Sequence, residues 1–308
     1  MSHSAPRPGS ICVVGSVNAD LVVRVAALPR PGETVLGGTF ASLQGGKGAN
    51  QAVAAARAGA ATAFVARVGE DSLGDAARGA FASEGIDVRH VRATAASATG
   101  VALILVDARG ENSIAVAGGA NDRLGIDDIE RARGAIEAAD VLLVQLEVPL
   151  EAVERAVAIA RAAGRIVVLN PAPARPLPPS LLAAVDVLTP NETEAEILAG
   201  RPGADAVALC HALVASGCRA VVLTRGAAGA LVATPEGSEE IPAIPVTAID
   251  TVAAGDVFSA CLAVALSEGA DLVAAARFAA AGAAISVTRA GAQASAPYRQ
   301  EIDRLLGG

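Results

Sequence analysis

Val141-Leu142-Leu143-Val144-Gln145-Leu146-Glu147-Val148-Pro149-Leu150-Glu151-Ala152-Val153-Glu154-Arg155-Ala156-Val157-Ala158-Ile159-Ala160-Arg161-Ala162-Ala163-Gly164-Arg165-Ile166-Val167-Val168-Leu169-Asn170 decides the fold. Residues 141–146 and 166–170 read as strands that are apolar along their length rather than alternating. That is the pattern of parallel strands buried on both faces. The Ala-rich stretch 150–163 between them reads as a helix. Strand, helix, strand is one right-handed βαβ unit. The same alternation extends outward, with candidate strands at 11–15, 62–68, 185–189 and 220–224. Candidate helices lie at 49–58, 73–84, 192–199 and 204–216, and two more close the chain at 253–267 and 272–287. The pattern predicts an α/β fold with a doubly wound, mostly parallel sheet flanked by helices.

Two stretches break the alternation. Residues 21–40 hold Pro29, Pro31, Gly32, Gly37 and Gly38 among short β-prone pieces. Residues 99–117 read as two strands, 100–106 and 113–116, turned by Gly110, Glu111 and Asn112. Both predict antiparallel hairpins outside the core, forming a small inserted β-sheet. The whole chain, 1–308, is read as one domain carrying that insertion, with no internal repeat or low-complexity linker.

Of the 308 residues, 53% are hydrophobic and 18% charged, as in a globular protein. The net charge of −8 and a pI near 5.0 give no electrostatic footprint for nucleic acid or anionic membranes. Mean hydropathy is +0.48, yet the most apolar stretches, 257–266 and 278–287, fall short of a bilayer-crossing helix. Aromatic residues make up 2%, too few for base-stacking platforms. Cys12, Cys210, Cys218 and Cys261 form no C-x-x-C pair, and residues 1–10 hold no apolar leader core. These features predict reduced thiols in a cytoplasm. His3, His90 and His211 leave little for zinc or a Ser-His-Asp triad.

Ligands of an open α/β sheet bind at the carboxyl ends of its strands, and here those loops are polar and glycine-rich. Asn18 and Asp20 follow the first strand two residues apart, on one side of an extended segment, where an amide and a carboxylate could grip adjacent hydroxyls. They fit an Asx turn as well. Gly45-Gly46-Lys47-Gly48-Ala49-Asn50 opens a helix with close-approach glycines and free N–H groups, but it is neither a Walker A loop nor G-x-G-x-x-G. Glu147 ends the strand 141–146. Asn191 and Glu194 fit a capping box. Gly226 and Gly229 suit a tight turn over a nucleotide or a plain hairpin. The segment Asp250-Thr251-Val252-Ala253-Ala254-Gly255-Asp256 runs small residues into a helix start. Its N–H groups would form an anion hole with Asp256 beside it, the pairing that phosphoryl transfer needs. Each loop alone has a bland structural reading. Together, at one end of one sheet, they point to a kinase for a small hydroxylated molecule.

The sequence resembles the PfkB, or ribokinase-like, family of carbohydrate kinases from Ile11 to Leu306. The resemblance is carried by residues 15–20, 45–55, 170–173, 190–196, 250–256 and 288–293. It implies a Rossmann-like core whose inserted β-sheet is a lid over the sugar, and a homodimer formed through that lid. It implies ATP-dependent phosphorylation of D-ribose at the 5-hydroxyl. Asn18, Asp20, Gly46, Lys47, Asn50, Glu147 and Asp256 would hold the sugar, with Asp256 also the base. Backbone N–H groups from Ala253 through Ala254 and Gly255 to Asp256 would form the anion hole. Asn191, Thr224, Gly226, Gly229, Gly255 and Ala280 would line the ATP site, and Glu194 would act through Mg²⁺ hydration. A monovalent cation, usually K⁺, would sit among Asp250, Val252, Ser286, Arg289, Gly291 and Ser295. Two departures from the family pattern stand out: Ser259-Ala260, where Asn-Gly is frequent, and Ala280, where a polar side chain is frequent. A sister kinase for 2-deoxyribose, fructose or a nucleoside, and a non-catalytic sugar or nucleotide sensor, are the competing readings.

Overall fold

The structure, a computed structural model, describes residues 8–307, so His3 and most of the leader reading lie outside the described residues. β1 (Ser10–Val14) shows why the parallel core forms. Ile11 and Val13 enter one hydrophobic cluster, Cys12 and Val14 enter the other, and all four are essentially unexposed. A strand with both faces apolar must be covered on both sides.

β1 is followed by β2 (Asn18–Arg24), β3 (Thr39–Gly45), α1 (Lys47–Arg57), β4 (Ala61–Gly69), α2 (Ser72–Ser83), β5 (Asp87–Thr94), β6 (Gly100–Val106) and β7 (Asn112–Ala117). Then come α3 (Ile126–Arg131), α4 (Arg133–Ala138), β8 (Val141–Val144), α5 (Leu150–Ala162), β9 (Ile166–Leu169), α6 (Pro179–Leu182) and β10 (Val187–Leu188). The remainder is α7 (Glu192–Ala199), α8 (Ala206–Ala215), β11 (Ala220–Thr224), β12 (Ala230–Thr234), β13 (Gly237–Ile241), α9 (Ala254–Ser267), α10 (Leu272–Ser286) and α11 (Arg299–Gly307).

The main sheet has nine strands in the order β13-β12-β11-β10-β9-β8-β1-β4-β5. It is parallel from β5 to β11, and the β12–β13 hairpin adds an antiparallel edge. The chain winds outward from β1 through β4 and β5, then restarts at β8 and winds the other way. The switch point therefore lies between β1 and β8, where an open sheet leaves a crevice. α1, α2, α9, α10 and α11 cover one face, and α3 to α8 cover the other. Fully buried Leu and Ile side chains such as Ile11, Ile129 and Leu142 each contribute on the order of 1.5–3 kcal/mol of transfer free energy. With few aromatics, the one close ring pair among the described residues is Phe64–Phe81, edge-on at 5.4 Å. Among the described residues no helix is long and apolar enough to cross a membrane.

A separate four-stranded sheet, β3-β2-β6-β7, forms the insertion. Its first piece is not a hairpin within 21–40 but the strands β2 and β3, 18–24 and 39–45, around a long connection. β3 is mostly exposed and interrupts Phe40, Ala41 and Leu43 with polar residues, so it offers no apolar run to read, and the prolines and glycines of 25–38 lie in the connection. The two antiparallel hairpins join through parallel β2 and β6, giving a mixed sheet. The strand expected at 185–189 shrinks to Val187–Leu188, β5 and β13 carry charged residues that break any apolar run, and β12, short and buried, has no reading in the sequence.

Candidate active site

The carboxyl ends of β1 and β8 meet at the switch point. Ser16 Oγ donates to Glu147 Oε2 at 2.6 Å, and the Lys47 backbone N–H donates to the same oxygen at 3.0 Å. Glu147 thus binds the β1 connection to the first turn of α1, where a carboxylate is favoured by the unpaired N–H groups and the helix dipole. The approach is close enough to demand glycine. Gly46 sits at φ 88, and a Cβ on Gly48 would lie 2.5 Å from Ser16 N.

Asn18 and Asp20 share one face of β2. Asn18 Oδ1 accepts from Asn121 Nδ2 at 2.8 Å, and Asn121 Oδ1 accepts the Val17 N–H at 2.8 Å, so Asn121 fixes the entrance to the inserted sheet. Asp20 faces the same crevice. Burial, with repulsion from Glu147 and Asp256, pushes its carboxyl up to about 6. Burial alone would lower the Lys47 ammonium. Asp256, Glu147 and Glu194 more than offset that and hold it above its usual value.

α9 starts just after Ala253, which adopts a left-handed φ of 60, unusual for a residue with a side chain. That twist presents the helix N-terminus to a cavity of about 160 Å³ lined by Lys47, Asn170, Thr189, Asn191, Glu194, Thr224, Thr251 and residues 253–256. Asp256, only 6% exposed, is held on both oxygens: Asn50 Nδ2 donates to Oδ2 at 2.9 Å and Gln51 Nε2 to Oδ1 at 3.0 Å. Burial raises its carboxyl above the ordinary range, against Lys47 and the two amides, which favour ionisation. Glu194 is also raised, chiefly by burial, and its carboxylate caps the Asn191 N–H at 2.9 Å.

A second cavity of about 480 Å³ opens from the first and shares Thr224, Thr251, Ala254 and Gly255 with it. Its other walls are Gly226, Gly229, Ile244, Pro245, Val246, Phe258, Ala280, Ala283, Ala284 and Val287, so it is largely apolar. Gly226 and Gly229 do form a hairpin turn, and that turn is also a wall of the cavity. Beyond it, Asp250 accepts the Val252 N–H at 3.0 Å and the Gly291 N–H at 2.9 Å, tying the segment before α9 to the one after α10. Ser286 and Ser295 lie buried beside these segments, their hydroxyls donating to Ala283 O and Ala292 O. Arg289 pairs with Glu301, so toward this loop pair it offers its backbone.

The expected residues therefore fall into four places: Asn18, Asp20, Gly46, Lys47, Asn50 and Glu147 on the side of the inserted sheet, residues 253–256 with Asn191, Glu194 and Thr224 in the first cavity, Gly226, Gly229 and Ala280 in the second, and Asp250, Val252, Ser286, Arg289, Gly291 and Ser295 on the loops before α9 and after α10. The structure adds two residues that the sequence did not single out, Asn121 and Gln51, and it places Ser259, noted above as a departure from the family pattern, with its Oγ 2.9 Å from Thr189 Oγ1. A compositional signal for one residue was available. Of the 24 basic residues Lys47 is the only lysine, in a chain that uses arginine everywhere else. A compact ammonium, not a planar fork, is what a small half-buried pocket takes.

A buried carboxylate beside an open helix N-terminus, between a polar lid-side cluster and an apolar cavity, defines a kinase that transfers a phosphoryl group to a small hydroxylated acceptor. The model of the pfkB family carbohydrate kinases matches residues 9–299. The ribokinase of Haemophilus influenzae is 47% identical over 300 residues, covering 96% of this chain and 98% of that one. The ribokinase of Bacillus subtilis is 42% identical over 96% of this chain and 99% of its own. A solved structure of Arabidopsis thaliana ribokinase complexed with ribose and ATP superposes with a TM-score of 0.90 at 34% identity, over 98% of this chain and 100% of that chain. The chain belongs to the pfkB family of carbohydrate kinases.

Proposed function

We propose that this chain phosphorylates D-ribose at the 5-hydroxyl with ATP, giving D-ribose 5-phosphate and ADP. The observation that carries the reading is Asp256. It is buried, gripped on both oxygens, and placed where the lid-side cluster meets the anion-receptive start of α9. The similarity to ribokinases over nearly the whole chain supports ribose as the acceptor.

Asp20 and Glu147 accept hydrogen bonds from the ring hydroxyls, and the Asn18 and Asn50 amides complete the set, with Gly46 giving the sugar room against the backbone. Asp256 takes the proton of the 5-hydroxyl as that oxygen forms its bond to the γ-phosphorus. The bond from the γ-phosphorus to the bridging oxygen breaks, and ADP leaves with the electron pair. The proton moves late in a loose transition state, so a carboxylate suffices as base. N–H groups of residues 253–256 and the Lys47 ammonium meet the charge on the transferring group. The lid, β2, β3, β6 and β7, excludes water, which limits hydrolysis of ATP. Adenine takes the apolar cavity with Gly226, Gly229 and Ala280.

The oxygen donors of Glu194 and Asn191 at the rim of the phosphate cavity suit Mg²⁺, which would neutralise ATP phosphates when bound. The Asp250 carboxylate, bridging two loops, suits a K⁺-like cation held with backbone oxygens of Val252, Ser286, Arg289 and Gly291 and with Ser295. Such a cation would fix the start of α9 without joining the chemistry. Exposed Phe40, Leu103, Ile114 and Val116 on the lid support a homodimer through that sheet. Four buried free thiols suit the cytoplasm.

Coupled ADP release with Mg-ATP tests the reading, using ribose, 2-deoxyribose, fructose, adenosine and no sugar, each in K⁺ and in Na⁺. Ribose-dependent release, strongest in K⁺, is expected. Turnover with another acceptor only would move the specificity, and no turnover with any of them would leave an untested acceptor or a binding protein on a kinase fold. Asp256→Asn should keep sugar binding while kcat falls roughly 10²–10⁴-fold, the scale of a lost general base.

A further inference from the structure

Gln51 is a fully buried polar side chain on α1, one residue past the sugar-side Asn50. Its amide is spent in three directions. Nε2 donates to Asp256 Oδ1 at 3.0 Å and to Asn170 Oδ1 at 3.2 Å, and Oε1 accepts from Gln145 Nε2. Asn170 in turn donates to Thr189 O at 2.9 Å and lines the phosphate cavity. Gln145 is buried just before Glu147. One side chain thus links the strand end that carries Glu147, the carboxylate on α9 and the wall of the phosphate cavity. A glutamine interior to a hydrophobic cluster costs desolvation unless every group is paired, so its retention there needs a polar task.

We infer that Gln51 is a positioning residue for phosphoryl transfer. It fixes the rotamer of the Asp256 carboxylate and favours its ionised form, while Asn50 holds the other oxygen. The inference rests on Asp256 being the base. Without Gln51, Asp256 keeps one anchor and can swing about its χ angles. Misplacement of a reacting group by about 1 Å costs on the order of 10²-fold in rate. The charged groups that face Asp256 are Lys47, Glu147, Glu194 and Asp20, and none of them replaces the lost donor.

The experiment is a double-mutant cycle on the full chain with Mg-ATP and ribose. Gln51→Met keeps the volume and removes both donor and acceptor. It should lower kcat by about 10- to 100-fold with the ribose KM within roughly twofold of the parent. In an Asp256→Asn background the same change should cost less than about twofold, because there is no base left to position. Equal losses in both backgrounds, or a parental kcat for Gln51→Met, would overturn the positioning role. Ribose-dependent ADP release by the parental chain reports separately on the activity. If circular dichroism shows Gln51→Met unfolded, Gln51→Glu keeps the shape. It can donate to Asp256 only while protonated, so its kcat should fall toward alkaline pH along a limb that the parent lacks. A parental pH profile for that variant would equally overturn the inference.

Discussion

Asp20→Asn should stabilise the ligand-free protein at neutral pH while weakening sugar binding. The Asp20 carboxyl moves from 3.8 to about 6 in the folded state, first through burial and then through Glu147 and Asp256. A raised carboxyl pKa means that the folded chain binds this proton more tightly than the unfolded one. Stability that is present below about pH 4 is therefore lost as pH rises to about 6 and beyond. At about 1.4 kcal/mol per pH unit the full shift would cost about 3 kcal/mol. Asp20 is partly open to solvent, and screening reduces that to about 1–2 kcal/mol. The neutral amide escapes the penalty. Its melting temperature at pH 7.5 should exceed the parent's by roughly 1.5–3 °C, and the gain should vanish near pH 4. The same carboxylate must be ionised to accept sugar hydroxyls, so the parental ribose KM should rise about tenfold per unit below pH 6, and the variant's should be high and flat. Calorimetric melting at the two pH values and KM against pH test both arms. A melting gain of equal size at both pH values, or a flat parental KM between pH 5 and 7, would refute the electrostatic account.

Acylation of the folded protein should modify one side chain, Lys47, besides the terminal amine, and mass spectrometry should find kcat falling with that adduct. Because its ammonium is held above the usual value, the reaction at pH 9 should be slower than with free lysine, and ATP with ribose should block it. Asp128, 4% exposed, accepts two hydrogen bonds from Arg67, at 2.9 and 2.8 Å, and one from Arg92 at 3.3 Å. Asp128→Ala leaves those cations unpaired and should cost about 2–4 kcal/mol in urea unfolding. Ala280→Phe should fill the apolar cavity and raise the ATP KM at least tenfold with the ribose KM unchanged, as initial rates would show.

Much of the fold was legible because parallel strands write themselves as unbroken apolar runs. Val141–Val144 and Ala220–Thr224 were read to within two residues for that reason. β3 was not, since its exposed residues answer to pairing with β2 rather than to a core. The site divides along similar lines. Gly46, Lys47 and Asp256 announce themselves locally, through glycine spacing and a helix start. Gln51 does not, because in sequence it is a polar residue in an Ala-rich helix, and its partner Asp256 lies 205 positions away. Contacts of that span are properties of the winding order, which brings the first turns of α1 and α9 together over the β1–β8 crevice.

Ala253 owes its conformation to the same winding order. Nothing in Val252-Ala253-Ala254 forecasts a left-handed residue, and glycine would hold φ 60 more readily. A side chain there costs on the order of 1 kcal/mol, sustained by the structure around it. The anchors are visible: Asp250 pins Val252 and Gly291, and the Val257 N–H donates to Ala253 O at 2.9 Å. Alanine gains rigidity in return, since it samples fewer backbone states than glycine when the site is empty. On the proposed reading, the N–H groups that meet the transferring phosphoryl group are thus fixed before substrates arrive, and preorganisation of that kind is where electrostatic catalysis draws its strength.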